Sequence, residues 1–235
     1  MFFLDIIPDS GAQRLLFVLA LPLVDGVFAT LLVTGAVQTF SEIMTVALTI
    51  FTGAGALAVL YSESKDRLEA QKMVRKVTPY LITGTLLVSL VAPVFEHLFY
   101  LSRLRFAAAI AVAVIALKIS EVSIAEKFTV PSIIFTGMML SLKQPASLQL
   151  TLSYVVPALT TVAVALGVLY LATYLDPERL NLDIIKKSGS LVLILISLSL
   201  IGLNVPSNLG LLVMSMSIVV AARTGSQNST LLTWN

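Results

Sequence analysis

Residues 19–37 read L-A-L-P-L-V-D-G-V-F-A-T-L-L-V-T-G-A-V, an apolar stretch interrupted near its middle by Pro22, Asp25 and Gly26. A transmembrane helix needs roughly 20 apolar residues, so this stretch is long enough to cross a bilayer. Proline removes a backbone donor and glycine weakens a helix. A carboxylate at membrane depth is costly unless it is paired, protonated or hydrated. The stretch therefore predicts a first transmembrane helix that is broken around Asp25.

The composition of the whole chain indicates a membrane protein. Its 235 residues are 57% hydrophobic and only 12% charged, with a mean hydropathy of +0.98, whereas a soluble domain is about a quarter charged. The net charge of +2 gives no reason to expect nucleic acid binding, and a chain without cysteine forms no disulfide or thiolate metal site. We predict an all-α, polytopic transmembrane helical bundle in the cell membrane.

Charged and turn-forming residues divide the chain into apolar segments. There are eight, at roughly 15–40, 43–61, 77–99, 104–118, 128–142, 148–174, 188–203 and 208–222. The fourth, fifth and eighth have only about 15 residues, and each could be a tilted short span, part of a longer helix or a re-entrant piece. The sequence thus predicts one transmembrane domain over 1–235 with about eight spans and a mobile polar tail at 224–235.

The distribution of basic residues supports an even number of spans and cytoplasmic termini. With the N-terminus inside, the loops 62–76 and 176–187 both lie on the cytoplasmic side, as the positive-inside rule expects. The inner face then collects Arg14, Lys65, Arg67, Lys72, Arg75, Lys76, Lys118, Lys127, Arg179, Lys186, Lys187 and Arg223. The outer face collects only Arg103, Arg105 and Lys143.

The two halves of the chain resemble each other. A-T-L-L-V-T-G at 29–35 aligns with P-S-I-I-F-T-G at 131–137, which suggests a parallel four-plus-four repeat of residues 14–118 and 119–223. The alternative is chance similarity between apolar helices, because I-F-T-G at 50–53 also matches 134–137 in a conflicting register.

Asp25 is the main candidate for a functional group. An ionisable residue inside a span is a functional hypothesis by default, and a broken helix exposes backbone groups that can bind a solute. In the alternative interpretation, Pro22 and Gly26 end a short helix and Asp25 caps the next one from a hydrated turn.

Charged residues at the end of the fourth segment and just beyond it form a second candidate group. Lys118 and Glu121 are three residues apart, so on a continuous helix they would share a face and could pair. They are either an interfacial ion pair or part of a polar inner vestibule. If the repeat is real, Lys127 occupies the place of Asp25, which suggests an Asp25–Lys127 pair.

Thr-Gly pairs recur along the chain, among them Thr34-Gly35 and Thr136-Gly137. Small residues let membrane helices pack closely, and hydroxyl groups add hydrogen bonds between helices. Packing is therefore the favoured interpretation, with ion coordination by Thr34 and Thr136 as the alternative.

The residues required for several enzyme classes are missing. Aspartyl proteolysis in the membrane needs two aspartates within spans, and only Asp25 qualifies. D-G-V-F-A at 25–29 resembles the start of the phospholipid-synthesising phosphotransferase motif, but Thr30 stands where its arginine should follow. His97 is the only histidine, which leaves no set of metal ligands. We therefore predict no enzyme activity, no catalytic residue, no metal and no cofactor.

The L-P-L-V-D-G block at 21–26, R-F-A-A at 105–108 and Lys118 resemble a family of uncharacterised archaeal multi-pass membrane proteins. This sequence departs from many members in lacking strongly acidic loops. The resemblance implies a membrane bundle of archaeal origin and no particular activity.

These observations leave two functional hypotheses. The first is a small secondary transporter or ion-conducting protein that moves an inorganic ion or small solute, with Asp25 as its coupling group. The second is a non-transporting membrane subunit or scaffold, as a homo-oligomer or in a membrane complex.

Overall fold

The computed structural model describes residues 10–143, 152–175 and 180–231. Within these residues it contains α-helices and no β-strand. The helices are α1 (Ser10–Val24), α2 (Val27–Val33), α3 (Phe40–Val46), α4 (Ala54–Glu63), α5 (Arg67–Leu98), α6 (Leu101–Ile119), α7 (Ser123–Glu126), α8 (Val130–Ser141), α9 (Val155–Ala172), α10 (Leu182–Ile201) and α11 (Ser207–Leu231). A short π-helix, Ala47–Phe51, continues α3. The predicted all-α class is confirmed for the described residues.

Among the described residues, three helices are long and apolar enough to cross a membrane, namely α5, α9 and α10. The number rises to five if two bent helix pairs each count as one span. The first pair, α1 with α2, is bent by 44°, and the second, α3 and its π-helix with α4, by 49°. These helices are compatible with a membrane protein, but the prediction of eight spans is not confirmed.

Three further helices are too short or too charged to count as membrane spans. Helix α6 has 19 residues but carries Arg103, Arg105 and Lys118. Helix α8 has 12 residues, and the apolar part of α11 covers Asn208–Ala221. These are the three segments that the sequence already marks as short.

One end of the bundle is defined by two ion pairs between helix termini, and we call it the Arg14 end. Arg14 near the start of α1 pairs with Glu63 at the end of α4. Glu121, just after α6, pairs with Lys186 in the second turn of α10. The start of α5 also lies here, because only three residues separate it from α4.

The opposite end, which we call the Arg105 end, is reached by the 32-residue helix α5. There the Nε of Arg105 donates a hydrogen bond of 3.0 Å to the carbonyl of Thr34, just past the end of α2. The backbone N–H of Tyr100 donates to the carbonyl of Ser141 at 2.7 Å and joins the start of α6 to the end of α8.

Helix α6 packs against α10, α8 and α2. Its buried face is rich in alanine, and a Cβ added at Gly137 of α8 would overlap the side chain of Ala107. The predicted role of the Thr136-Gly137 pair in close helix packing therefore agrees with the structure.

Several predicted boundaries differ from the observed ones. The predicted loop 62–76 is helical from Arg67, because Asp66 caps α5 by accepting a hydrogen bond of 2.7 Å from the N–H of Glu69. Helix α11 runs to Leu231 and includes most of the predicted tail 224–235; residues 232–235 lie outside the described chain. The internal repeat is not confirmed, since Gly35 ends α2 at a φ of +81° whereas its proposed counterpart Gly137 lies within α8.

Candidate functional site

The first helix is interrupted at Asp25, as the sequence predicts. Helix α1 ends at Val24, and Gly26 adopts a φ of +80°, a left-handed conformation that favours glycine. The carboxylate of Asp25 is half-buried and accepts a hydrogen bond of 3.1 Å from the N–H of Val27 at the start of α2. Asp25 therefore lies at the break and binds the first N–H of α2 from the position before the N-cap residue, Gly26.

A second interruption, which we did not predict, lies across from the first. At the end of the π-helix the N–H of Thr52 donates a hydrogen bond of 2.8 Å to the carbonyl of Ala47, five residues earlier, and α4 starts only at Ala54. At Gly53 a Cβ would lie 2.5 Å from the carbonyl oxygen of Thr49, so a side chain there is excluded unless the backbone moves. π-Helical turns are rare and frequently mark functional sites.

A cavity of about 750 Å³ lies between the two interruptions. Its walls come from α1, the π-helix, α4, and the ends of α6, α8 and α10 that lie at the Arg14 end. The lining residues include Val18, Pro22, Asp25, Thr49, Phe51, Gly53, Ala54, Ala58, Ile115, Lys118, Thr129, Pro131, Asp183 and Lys186. The cavity therefore runs from charged helix termini to the middle of both bent pairs.

The charged residues at the mouth pair differently from the prediction. Helix α6 ends at Ile119, and Glu121 has a φ of +59°, so Lys118 and Glu121 do not share a helix face. Glu121 pairs instead with Lys186, while Asp183 pairs with Lys187 at 2.8 Å. The prediction of a Lys118–Glu121 pair is therefore wrong, although Lys118 lines the cavity.

The remaining predicted residues lie elsewhere. Thr34 lines a separate cavity of about 190 Å³ at the Arg105 end, and Lys127 and Thr136 line an open groove between α6 and α8. Within the described part of the chain, the Asp25 carboxylate contacts only the N–H of Val27 as a polar partner. The predicted Asp25–Lys127 pair is therefore not formed.

Several lining residues are not predicted from the sequence. Thr49 and Gly53 lie in a segment that resembles an ordinary span, and nothing in its composition signals a π-helix. Asp183 and Lys186 fall in the predicted loop 176–187, whereas in the structure they lie in α10, which Asn181 caps by accepting a hydrogen bond of 3.1 Å from the N–H of Asp183. An asparagine just before an apolar run is a signal that could have located this helix start.

The chain belongs to a family of unknown function, DUF5794, whose model matches residues 81–201. The match covers the chain from the middle of α5 to the end of α10. It includes Lys118 and Lys127, whereas Asp25 and the L-P-L-V-D-G block lie outside it. The family's description does not test the archaeal origin that the resemblance implies. No curated protein and no solved structure matches the chain.

Proposed function

We propose that the protein is a small secondary transporter or ion-conducting protein, and that Asp25 binds the coupling ion or the proton. The observation that carries the proposal is the cavity that joins Asp25, two interrupted helices and the charged Arg14 end. Broken helices beside an ionisable residue are a common construction of membrane ion sites, because they present both charge and free backbone groups.

The polar groups around Asp25 suit a small cation. Only one hydrogen bond within the described chain engages its carboxylate, which leaves oxygen lone pairs for a ligand. Pro22 has no N–H, so the carbonyl of Val18 lacks its usual helical donor, and both residues line the cavity. Carboxylate and carbonyl oxygens are ligands that hard cations prefer.

The linings of this cavity and of the cavity at the Arg105 end come closest along α3 and its π-helix. Thr45 lines the cavity at the Arg105 end, and Thr49 lines the cavity at Asp25. The two residues are one helical turn apart, ~5 Å along the helix axis. The hydroxyl of Thr49 donates to the carbonyl of Thr45 at 2.6 Å, and the Phe28 and Phe51 rings pack edge to face at 5.0 Å beside them. We propose that a conducting path between the two cavities passes this turn, because their linings come closest along this helix.

The charge distribution suggests an orientation for this path. Most described basic residues lie at the Arg14 end, so the positive-inside rule favours a cytoplasmic location for that end and for both termini. The cavity at Asp25 would then open to the cytoplasm.

Ion flux through purified protein in liposomes tests the proposal. Vesicles loaded with a pH-sensitive or cation-sensitive dye receive gradients of H⁺, Na⁺ or K⁺, and we expect wild type to dissipate at least one of them. Asp25→Asn keeps the size of the side chain and the oxygen that accepts from Val27 but removes the charge, and should reduce that flux at least tenfold. Glu126→Gln, with the same charge change on an exposed residue outside the cavity, should retain it.

Two results would overturn the proposal. If wild type dissipates none of the three gradients, uncoupled conduction of H⁺, Na⁺ and K⁺ is excluded and the scaffold hypothesis is favoured. If Asp25→Asn and Glu126→Gln both match wild type, ion flux does not depend on Asp25.

Cysteine accessibility tests the cavity separately, because the natural chain has no cysteine. A membrane-impermeant maleimide should label Ala58→Cys, which lines the cavity, and leave Ala29→Cys, on a buried face of α2, unlabelled. Reaction in inverted vesicles and not in right-side-out vesicles would agree with a cytoplasmic opening. The reverse sidedness would contradict the proposed orientation.

A further inference from the structure

A second feature, independent of Asp25, lies on the outside of the bundle. An apolar groove of about 1,030 Å³ runs between α6 and α8, within the residues that the family model matches. Phe106, Ile110 and Leu140 line it with more than half of each side chain exposed. This volume is at the upper end of the range for small-molecule sites.

The charges of the groove all have the same sign. Arg103 lines one end of it and Lys127 the other, and no carboxylate lines the groove among the described residues. Helix α8, between these ends, is about 18 Å long for its 12 residues. The groove thus combines a long apolar floor with a cation at each end.

The two cations differ in their availability. The guanidinium of Arg103 donates to the carbonyl of Leu140 at 3.1 Å and lies 5.2 Å from the centre of the Tyr100 ring. The ammonium of Lys127 has no hydrogen-bond or ion-pair partner among the described residues. The hydroxyls of Thr129 and Ser132, which bond to each other at 2.5 Å, line the same end of the groove.

We propose that this groove binds an anionic membrane phospholipid, with its phosphate at Lys127 and a hydrocarbon chain along Phe106 and Ile110. Basic pockets between membrane helices are typical sites for anionic headgroups. The occupant follows from the charges, because an anionic headgroup complements the exposed lysine. A second copy of the chain, docked through the same groove about a two-fold axis, would instead bring like cations together.

Binding of defined lipids to the full-length protein in detergent tests the inference. Native mass spectrometry during titration with dioleoyl-phosphatidylglycerol should show one lipid retained more strongly than dioleoyl-phosphatidylcholine. Lys127→Gln should weaken phosphatidylglycerol binding about fivefold, as expected for one basic residue at a membrane surface. The matched control, Lys72→Gln, removes an exposed lysine of α5 outside the groove and should leave binding unchanged.

A second variant tests the apolar part of the site without removing charge. Ile110→Trp enlarges a side chain on the groove floor and should weaken the binding of both lipids. Because it leaves Lys127 intact, it distinguishes chain binding from headgroup attraction.

Several outcomes would overturn the inference. If Lys127→Gln and Lys72→Gln weaken phosphatidylglycerol binding equally, the binding reflects general surface charge and not a site in the groove. Full competition by inorganic phosphate together with unchanged binding in Ile110→Trp would make it an anion site without a lipid chain. Efficient disulfide dimerisation of Ile110→Cys in neutral-lipid nanodiscs would assign the groove to a second copy. None of these results depends on ion flux, so the transport proposal can fail independently.

Discussion

The two bent helix pairs are interrupted by different means. In the first pair, Pro22 lies in the last turn of α1 and Gly26 turns the chain in a left-handed conformation, with a φ of +80°. In the second pair, Gly53 has a φ of −48°, and the interruption follows a π-helix that leads the carbonyl of Thr49 to within 2.5 Å of the Cβ position of Gly53. The first break follows from the conformational properties of proline and glycine, and the second from a π-helical turn that brings the chain's own backbone against Gly53.

This difference predicts unequal responses to the same substitution. A Cβ at position 53 collides with backbone, which cannot rotate away as a side chain can. A Cβ at position 26 meets only the Cγ2 of Ile134 at 3.3 Å, and its main cost is the left-handed conformation. Both breaks line the cavity. Alanine substitutions at Gly26 and Gly53 therefore also test the shape of the cavity.

The largest effect is expected for Gly53→Ala. Forcing a methyl group against the Thr49 carbonyl should lower the free energy of unfolding by about 3 kcal/mol, the upper range of overpacking costs. Denaturant titration in detergent, followed by far-ultraviolet circular dichroism, measures this change. Gly167→Ala is the matched control, because no atom lies within 4 Å of its Cβ position and it should stabilise α9 by up to about 1 kcal/mol.

A smaller effect is expected for Gly26→Ala. Placing a Cβ in the left-handed region should cost about 1–2 kcal/mol, measured by the same titration. Gly26→Asn should recover part of this loss, because asparagine tolerates that region better than alanine. A cost for Gly26→Ala above that of Gly53→Ala would reverse the comparison and show that the π-helix absorbs the added methyl group.

The smallest effect is expected for Tyr154→Phe at the Arg105 end. This substitution lies away from both breaks and serves as a reference for them. The hydroxyl of Tyr154 donates to a carboxylate oxygen of Glu96 at 2.8 Å. Burial, with a further contribution from this hydrogen bond and the Glu96 charge, raises the pKa of Tyr154 from 10.0 to about 12. Tyr154→Phe should therefore cost about 1 kcal/mol at neutral pH, the usual value of one hydrogen bond.

The pH dependence of this contact has a definite sign. Because the pKa is raised in the folded state, the stabilisation is complete below pH 10 and declines as the pH rises from about 10 towards 12. Spectroscopic titration of the phenol, compared between wild type and Tyr154→Phe, checks this. Ionisation of Tyr154 near pH 10 would contradict it, and Tyr80→Phe controls for the other tyrosines.

Much of the architecture follows from composition and local signals. The all-helical class follows from a chain with too few charges to cover a soluble globule. The break at Asp25 follows from covalent chemistry, since proline lacks an N–H and glycine tolerates a positive φ. These properties belong to the residues themselves and hold in any tertiary environment.

The pairing of charges could not be read from spacing. Lys118 and Glu121 have the separation of helical neighbours, yet α6 ends between them and Glu121 pairs with Lys186 on α10. The position of a helix end depends on the neighbours that satisfy its last carbonyls, so a spacing rule fails near that end. The lining of the cavity by Asp183 and Lys186 likewise depends on how α10 packs.

The tetrapeptide I-F-T-G separates what sequence and tertiary structure each determine. At 134–137 it lies within the continuous helix α8, where Gly137 allows close contact with Ala107. At 50–53 the same four residues span the end of the π-helix at Phe51 and the break after it, with the Phe51 ring against Phe28 and the Thr52 hydroxyl donating to the carbonyl of Ala165 at 3.2 Å. The sequence by itself determined an apolar helical chain broken at Asp25. The second break was decided by the tertiary structure, because contacts with α2 and α9 outweigh the helical preference that the tetrapeptide retains in α8.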